Sequence, residues 1–158
     1  MNLPTTTVID LLIADFNLTR HMIGPVRDAQ IMCPDPSWIQ QFARWICQNR
    51  PVYLPEACDC DDIARWAQTA ASRTRAAAAG IASGHAVFVA TVAGVPGKSL
   101  NAIPFTEQYC VHDTLLIYDN AQTPWFVEPQ TGAFCHAKPA LVENNPDGAV
   151  GGVDYVSL

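Results

Sequence analysis

A thiol and several carboxylates lie together at the start of the longest helical pattern in the chain. Residues 58–66 read Cys-Asp-Cys-Asp-Asp-Ile-Ala-Arg-Trp, a pattern that predicts a helix with Cys60 at its N-terminus. The helix dipole and the free backbone N–H groups at that end favour the thiolate, which is the nucleophilic form of cysteine. The carboxylates of Asp59, Asp61 and Asp62 are ligands that suit a hard cation. A nucleophile and a metal site are therefore both open interpretations.

Simpler explanations exist for the same residues. Asp61 and Asp62 are first-turn acids of the kind that a helix dipole favours, and Asp59 could cap the helix. Cys60 could be a buried cysteine without any chemistry. Carboxylates beside a thiol also oppose its ionisation unless a bound cation neutralises them. A thiolate at this position would therefore depend on the metal.

The composition indicates one globular domain that does not bind nucleic acid. The chain has 158 residues, of which 49% are apolar and 15% charged, and its formal net charge is -6. We expect a single domain over 1–158, with its core at 36–140 and peripheral segments at 1–35 and 141–158. Because the sequence has no cluster of Lys and Arg, we expect no binding to nucleic-acid phosphates.

The sequence also lacks features of secreted and membrane proteins. No apolar run reaches the length of a membrane span, and residues 1–15 do not resemble a signal peptide. We therefore expect a cytoplasmic protein without a membrane partner. Its six cysteines are expected to be free thiols, and the spacing of Cys58 and Cys60 is shorter than zinc sites usually have.

Hydropathy patterns predict helices in the first half of the chain and strands in the second. Asp35 caps a predicted helix that runs to about Asn49, and an alanine-rich helix runs from about Asp61 to Ala79. Short apolar runs separated by Gly, Pro and Asn/Asp breaks predict strands at 87–92, 99–105, 114–118 and 125–127. The expected fold is α+β, with the helix of Cys60 packed on an antiparallel sheet.

Three short motifs carry a resemblance to a known family. They are Cys60-Asp61-Asp62-Ile63-Ala64, Lys98-Ser99-Leu100-Asn101 and Val127-Glu128-Pro129-Gln130-Thr131-Gly132. In this order they resemble the papain-like cysteine-peptidase domains of the Marasmius oreades agglutinin type, which also occur as stand-alone bacterial and phage proteins. The resemblance spans residues 50–135. It implies a papain-like fold and a calcium-dependent cysteine protease with the metal beside its active site.

The resemblance implies a role for each matched residue. Cys60 matches the nucleophile, and Glu128 matches the acidic residue that orients the catalytic histidine. Asp61 and Asp62 match the carboxylates that help to hold calcium. Gln130 matches a further residue of that cation site.

The chain departs from the family at the catalytic histidine, because Lys98 stands at the matching position. Papain-type chemistry needs an imidazole that accepts the thiol proton and then protonates the leaving amine. Lysine, with a reference pKa near ~10.4, is a poor base at neutral pH, although its charge could favour the Cys60 thiolate. His85 is the alternative base, since Gly-His-Ala at 84–86 is similar to the family's histidine element. His112 and His136 are less favoured substitutes.

These observations favour a degenerate papain-like domain that is catalytically impaired and acts by binding another protein. By resemblance, it could be phage-encoded and directed at a protein in the host cytoplasm. The alternative is an active calcium-dependent cysteine hydrolase of peptide or isopeptide bonds, with Cys60 as nucleophile and His85 or Lys98 as its partner. A third interpretation is a structural or accessory protein with a cation clip at Asp61, Asp62 and Gln130.

Overall fold

Helices pack on both faces of a five-stranded antiparallel sheet, which confirms the predicted α+β class. The computed structural model describes residues 1–25, 29–55, 57–79, 84–94, 99–100, 103–104, 111–144 and 152–157. The helices are α1 (Thr5–Phe16), α2 (Pro36–Asn49), α3 (Cys60–Ala79) and α4 (Ala137–Asn144). The strands are β1 (Asn2–Pro4), β2 (Gln30–Met32), β3 (Gly84–His85), β4 (Val87–Ala93), β5 (Ser99–Leu100), β6 (Ile103–Pro104), β7 (Val111–Tyr118), β8 (Pro124–Val127), β9 (Phe134–His136) and β10 (Gly152–Ser157).

The strands form one central sheet and two smaller groups. The central sheet has the order β10-β4-β7-β8-β9, and each neighbouring pair is antiparallel. A second sheet has the order β1-β2-β3, in which β2 and β3 run parallel. Strands β5 and β6 pair with each other. Strands β7 and β8 are thus adjacent in the central sheet as well as consecutive in the chain.

Alternation along the central strands creates two separate cores. Leu116 and Phe126 point to one face, where they join buried residues of α1 and α4. Leu115 and Val127 point to the other face, where they join buried residues of α2 and α3. The sheet therefore fixes the position of α3, and with it the position of Cys60.

Small residues let α3 lie close to the sheet, as its alanine-rich sequence predicts. Ala64, Ala67 and Ala71 recur at helical spacing and are fully buried in the second core. Asp59 precedes the helix, and its carbonyl accepts the Ile63 N–H at 3.1 Å, so Cys60 is the first residue of the helix.

Aromatic side chains join α2 to α3. Phe42 stacks between Trp38 and Trp45 of the same helix, with ring centroids 4.7 and 6.4 Å away. Trp45 in turn stacks on Trp66 of α3 at 5.9 Å with an interplanar angle of 7°. These contacts hold the end of α2 in a fixed place beside the helix of Cys60.

The terminal segments belong to the core, so their assignment as peripheral was wrong. Val8 and Leu12 of α1 are fully buried, and β10 pairs with β4 along the central sheet while burying Val156. The short apolar runs in these segments did not predict their burial, because they form a buried face only once the sheet has assembled. Within the described ranges, no helix combines the length and apolar character needed to cross a membrane.

Candidate active site

Glu128 lies in a tight turn between β8 and β9. Its backbone N–H donates to Ala133 O and its carbonyl accepts the Gly132 N–H, each at 2.8 Å. Gly132 has φ +73°, and a Cβ there would lie 2.9 Å from Cys47 Cβ, so both conformation and space require glycine. The turn folds the Glu128 side chain into the protein, where it is only 2% exposed.

The buried Glu128 carboxylate bonds His112. Nε2–H of His112 donates to Glu128 Oε2 at 2.8 Å, and the Gln130 backbone N–H donates to Oε1 at 2.9 Å. Both carboxylate oxygens are therefore satisfied, as a buried charge requires. The Cys60 side chain interacts with the same imidazole and favours its protonated form. Because Nε2 is directed at Glu128, Nδ1 is the ring nitrogen left for the thiol.

The surroundings of His112 strongly favour its protonated form. Burial by itself lowers the pKa of the imidazole. The hydrogen bonds with Cys60 and Glu128, and the negative charges of these partners, outweigh that effect and raise the pKa of His112 from 6.5 to about 9. The site is thus built to hold an imidazolium between a thiol and a carboxylate.

The histidine beside Glu128 is not one that the sequence favoured as the base. The partner of Glu128 is His112 on β7, whereas sequence reasoning favoured Lys98 or His85. The backbone of His85 lies in β3 and pairs with Met32, in a different sheet from the one that carries His112. Lys98 and Asn101 lie outside the described residues. Cys60 and Glu128 both interact with His112, and their predicted catalytic roles stay predictions.

A signal for His112 was present in the sequence. The Asp119–Asn120 break separates two apolar runs and predicts that β7 and β8 form a hairpin. In the observed register Leu115 opposes Val127, which places Glu128 diagonally across from His112. Side chains on such diagonals are close enough for long polar residues to meet. The hairpin register, rather than the local motif around a histidine, identifies the pair.

Three carboxylates cluster beside Cys60. Ligand atoms of Asp59, Asp61 and Asp62 all lie within 4.8 Å of one another. Asp59 Oδ1 is buried and has no hydrogen-bond partner among the described residues. An orphaned carboxylate oxygen within an acidic cluster fits a hard, oxygen-ligated cation such as Ca²⁺. Asp59, which the sequence offered as a weaker candidate ligand because it could instead cap the helix, is therefore a stronger candidate than expected.

The carboxylates of the acidic cluster interact with one another and change each other's pKa values. The hydrogen bond with Asp61 raises the pKa of the Asp59 carboxyl, and burial and the charges of Asp61 and Asp62 act in the same direction. The same hydrogen bond lowers the pKa of Asp61. Ionisation of Asp59 is therefore disfavoured beside Asp61, and a bound cation would favour it. Arg65 approaches Asp61 at 3.6 Å on the exposed side and neutralises little of this charge.

Gln130 contacts the site through its backbone. Its N–H supports Glu128, and its carbonyl accepts a hydrogen bond from Arg50 Nε at 2.8 Å. Its predicted role as a calcium ligand stays a prediction.

The chain matches no family model and no curated protein. Two solved structures share its fold, both at 14% sequence identity over 99% of this chain. One is the complex of PSL1a with E64, with a TM-score of 0.70. The other is Polyporus squamosus lectin bound to the human-type influenza-binding epitope Neu5Acα2-6Galβ1-4GlcNAc, with a TM-score of 0.68. This chain spans 51% and 49% of theirs, so the likeness shows that its whole length adopts a fold found in about half of each.

Proposed function

We propose that this protein is a papain-like cysteine hydrolase that cleaves peptide or isopeptide bonds. The observation that carries the proposal is the hydrogen-bonded pair of His112 and buried Glu128, with the His112 imidazole interacting with Cys60 at the N-terminus of α3. A thiol, an imidazole and a buried carboxylate in this order are the parts of a thiol–histidine–acid triad. The hypothesis of an impaired enzyme depended on the absence of a histidine at this place, and His112 removes that reason.

Acylation would begin with transfer of the Cys60 proton to Nδ1 of His112. The thiolate then attacks the carbonyl carbon of the scissile bond and forms a tetrahedral intermediate. As this intermediate collapses, the imidazolium gives its proton to the leaving nitrogen, the C–N bond breaks, and a thioester with Cys60 remains. Glu128 keeps the ring oriented and stabilises its positive charge throughout.

Deacylation would reverse the proton transfers. His112, now neutral, accepts a proton from water while the hydroxide oxygen attacks the thioester carbon. The C–S bond breaks, the carboxylic acid leaves, and the Cys60 thiolate regains its imidazolium partner. The Cys60 backbone N–H lies at the first position of α3, where a helix N–H has no acceptor within the helix, and it is our candidate donor to the oxyanion.

An exposed apolar strip near the thiol favours a polypeptide substrate. Val52, Tyr53 and Leu54 are 74, 45 and 53% exposed. Leu54 is held against Cys58 by reciprocal backbone hydrogen bonds of 2.9 and 2.8 Å, two residues before the nucleophile. Consecutive exposed apolar side chains at a fixed position are suited to contact the side chains of an extended peptide.

The test of this function is the selective alkylation of Cys60. E64, whose epoxide opens when a thiolate attacks its carbon, is added to the native protein, and the labelled residue is mapped by mass spectrometry. We expect stoichiometric labelling at Cys60, none in Cys60→Ala, and unchanged labelling in the control Cys135→Ala. Slow labelling spread over several cysteines would reject the hydrolase and favour the binding-protein hypothesis.

We also propose that Asp59, Asp61 and Asp62 hold Ca²⁺ beside the nucleophile. The supporting observations are the clustered carboxylate oxygens and the orphaned Asp59 Oδ1. When bound, the ion would neutralise negative charge next to Cys60 and so favour its thiolate. The residues fix the first turn of α3, which makes the ion a support for the position of the thiol.

Calcium should stabilise the fold, and this stabilisation should depend on Asp59. Addition of millimolar Ca²⁺ should raise the melting temperature, because an ion that binds only the folded state stabilises it by mass action. Asp59→Asn should abolish the shift, since it removes a charged ligand at the centre of the cluster. The control Asp113→Asn lies outside the cluster and should keep the full shift. Equal shifts in the wild type and Asp59→Asn would contradict this site.

A further inference from the structure

Hydrogen bonds connect the end of α2 to the turn that carries Glu128. Arg50 follows the last residue of α2, and its Nε–H donates to the Gln130 carbonyl at 2.8 Å. The Cys47 thiol donates to the same carbonyl at 3.7 Å. One backbone oxygen in the turn thus receives two donors from the end of α2, although 80 and 83 positions separate it from these donors in the sequence.

Gln130 connects Arg50 to the proposed triad through its own backbone. Its carbonyl is bound by Arg50, while its own N–H donates to Glu128 Oε1 at 2.9 Å. The other carboxylate oxygen, Oε2, holds His112. A continuous series of hydrogen bonds therefore runs from Arg50 through Gln130 and Glu128 to His112. Any shift of the Gln130 backbone changes the direction in which the carboxylate faces the ring.

The chemistry of arginine suits this position. A second donor of Arg50, Nη1, bonds the Pro51 carbonyl at 3.2 Å, which fixes the plane of the guanidinium. Because the guanidinium is rigid, fixing one N–H also aims the other at Gln130. A lysine ammonium at this place would keep the charge but would not keep two donors in fixed directions. The side chain is half-buried, so water competes with these bonds only in part.

We infer that Arg50 is a positioning residue for the proposed Cys60–His112–Glu128 triad, acting through the backbone of Gln130. The inference rests on the proposed function. Arg50 does not touch the reacting atoms. It locks the turn so that the Glu128 carboxylate holds the His112 ring in the orientation needed to reach Cys60.

The first test compares E64 alkylation rates in three variants. Arg50→Ala and Arg50→Lys should both react about tenfold more slowly than the wild type, because small errors in the placement of a catalytic group are costly. Arg44→Ala removes an exposed arginine of the same helix and should react within about twofold of the wild type, as surface changes far from a site usually do. Melting temperatures show whether each variant is folded. A folded Arg50→Lys with the wild-type rate would overturn the inference.

A double-mutant cycle separates positioning from general support of the fold. In a Glu128→Gln background the further change Arg50→Ala should have no additional effect on the rate, since the two residues act in one series. Independent, multiplying effects would overturn the inference.

The imidazole titration of His112, followed by NMR, is a readout that does not need a reactive thiol. If E64 does not label the wild type, the proposed function fails, and the titration still decides what Arg50 does. A lower His112 pKa in Arg50→Ala supports its action on Glu128. An unchanged pKa rejects it.

Discussion

His112→Asn should reduce the rate of Cys60 alkylation by E64 about a thousandfold at neutral pH, the scale on which general bases contribute. His112 bonds Glu128 and interacts with the Cys60 side chain, so its loss removes the acceptor of the thiol proton and the cation that stabilises the thiolate. The measurement is the second-order rate constant of inactivation, obtained from intact mass spectra over time.

Three matched variants make this result specific. His136→Asn changes a histidine of the same sheet that stacks on Trp125 with ring centroids 4.0 Å apart, and it should leave the rate unchanged. His85→Ala and Lys98→Ala test the two bases that the sequence favoured, and the geometry predicts at most a small effect for either. A large loss in Lys98→Ala with a normal rate in His112→Asn would restore the original assignment.

The three residues of the proposed triad were not equally predictable from the sequence. Cys60 and Glu128 stand in local patterns, a helix start and a Glu-Pro turn, and such patterns are visible in a single stretch of chain. His112 reaches Glu128 only because β7 lies beside β8, and its own neighbours resemble an ordinary strand. The local motif predicts Lys98 as the candidate base, whereas the strand register indicates His112.

The same distinction explains what else the sequence did and did not reveal. Helices α2 and α3 were predicted within a residue or two, because capping residues and periodicity are local signals. The contact between Arg50 and Gln130 joins residues 80 positions apart, and the pairing of β10 with β4 joins the chain's end to its middle. Neither has a local signature, since both arise from packing around the sheet.

The charge pair at His112 should make folding stability depend on pH. The pKa of His112 is about 9 in the folded protein, compared with 6.5 for a free imidazole. Because the folded pKa is raised, its stabilising contribution is fully present below pH 6.5 and is lost as pH rises through about 9. At about 1.4 kcal/mol per unit, the loss amounts to about 3 kcal/mol.

The measurement is the free energy of unfolding in urea between pH 6 and 9.5, for the wild type and for His112→Gln. Their difference reports on His112 together with its partners Cys60 and Glu128, because groups elsewhere in the protein contribute equally to both. Burial, for example, raises the pKa of Cys33 to about 11, against the charge of the N-terminus and together with that of Asp119. The wild type should lose about 3 kcal/mol more than the variant across this range. His21→Gln alters an exposed histidine and should follow the wild type. Parallel curves for the wild type and His112→Gln would mean that His112 carries no proton between Cys60 and Glu128, and the ion-pair form of the triad would have to be abandoned.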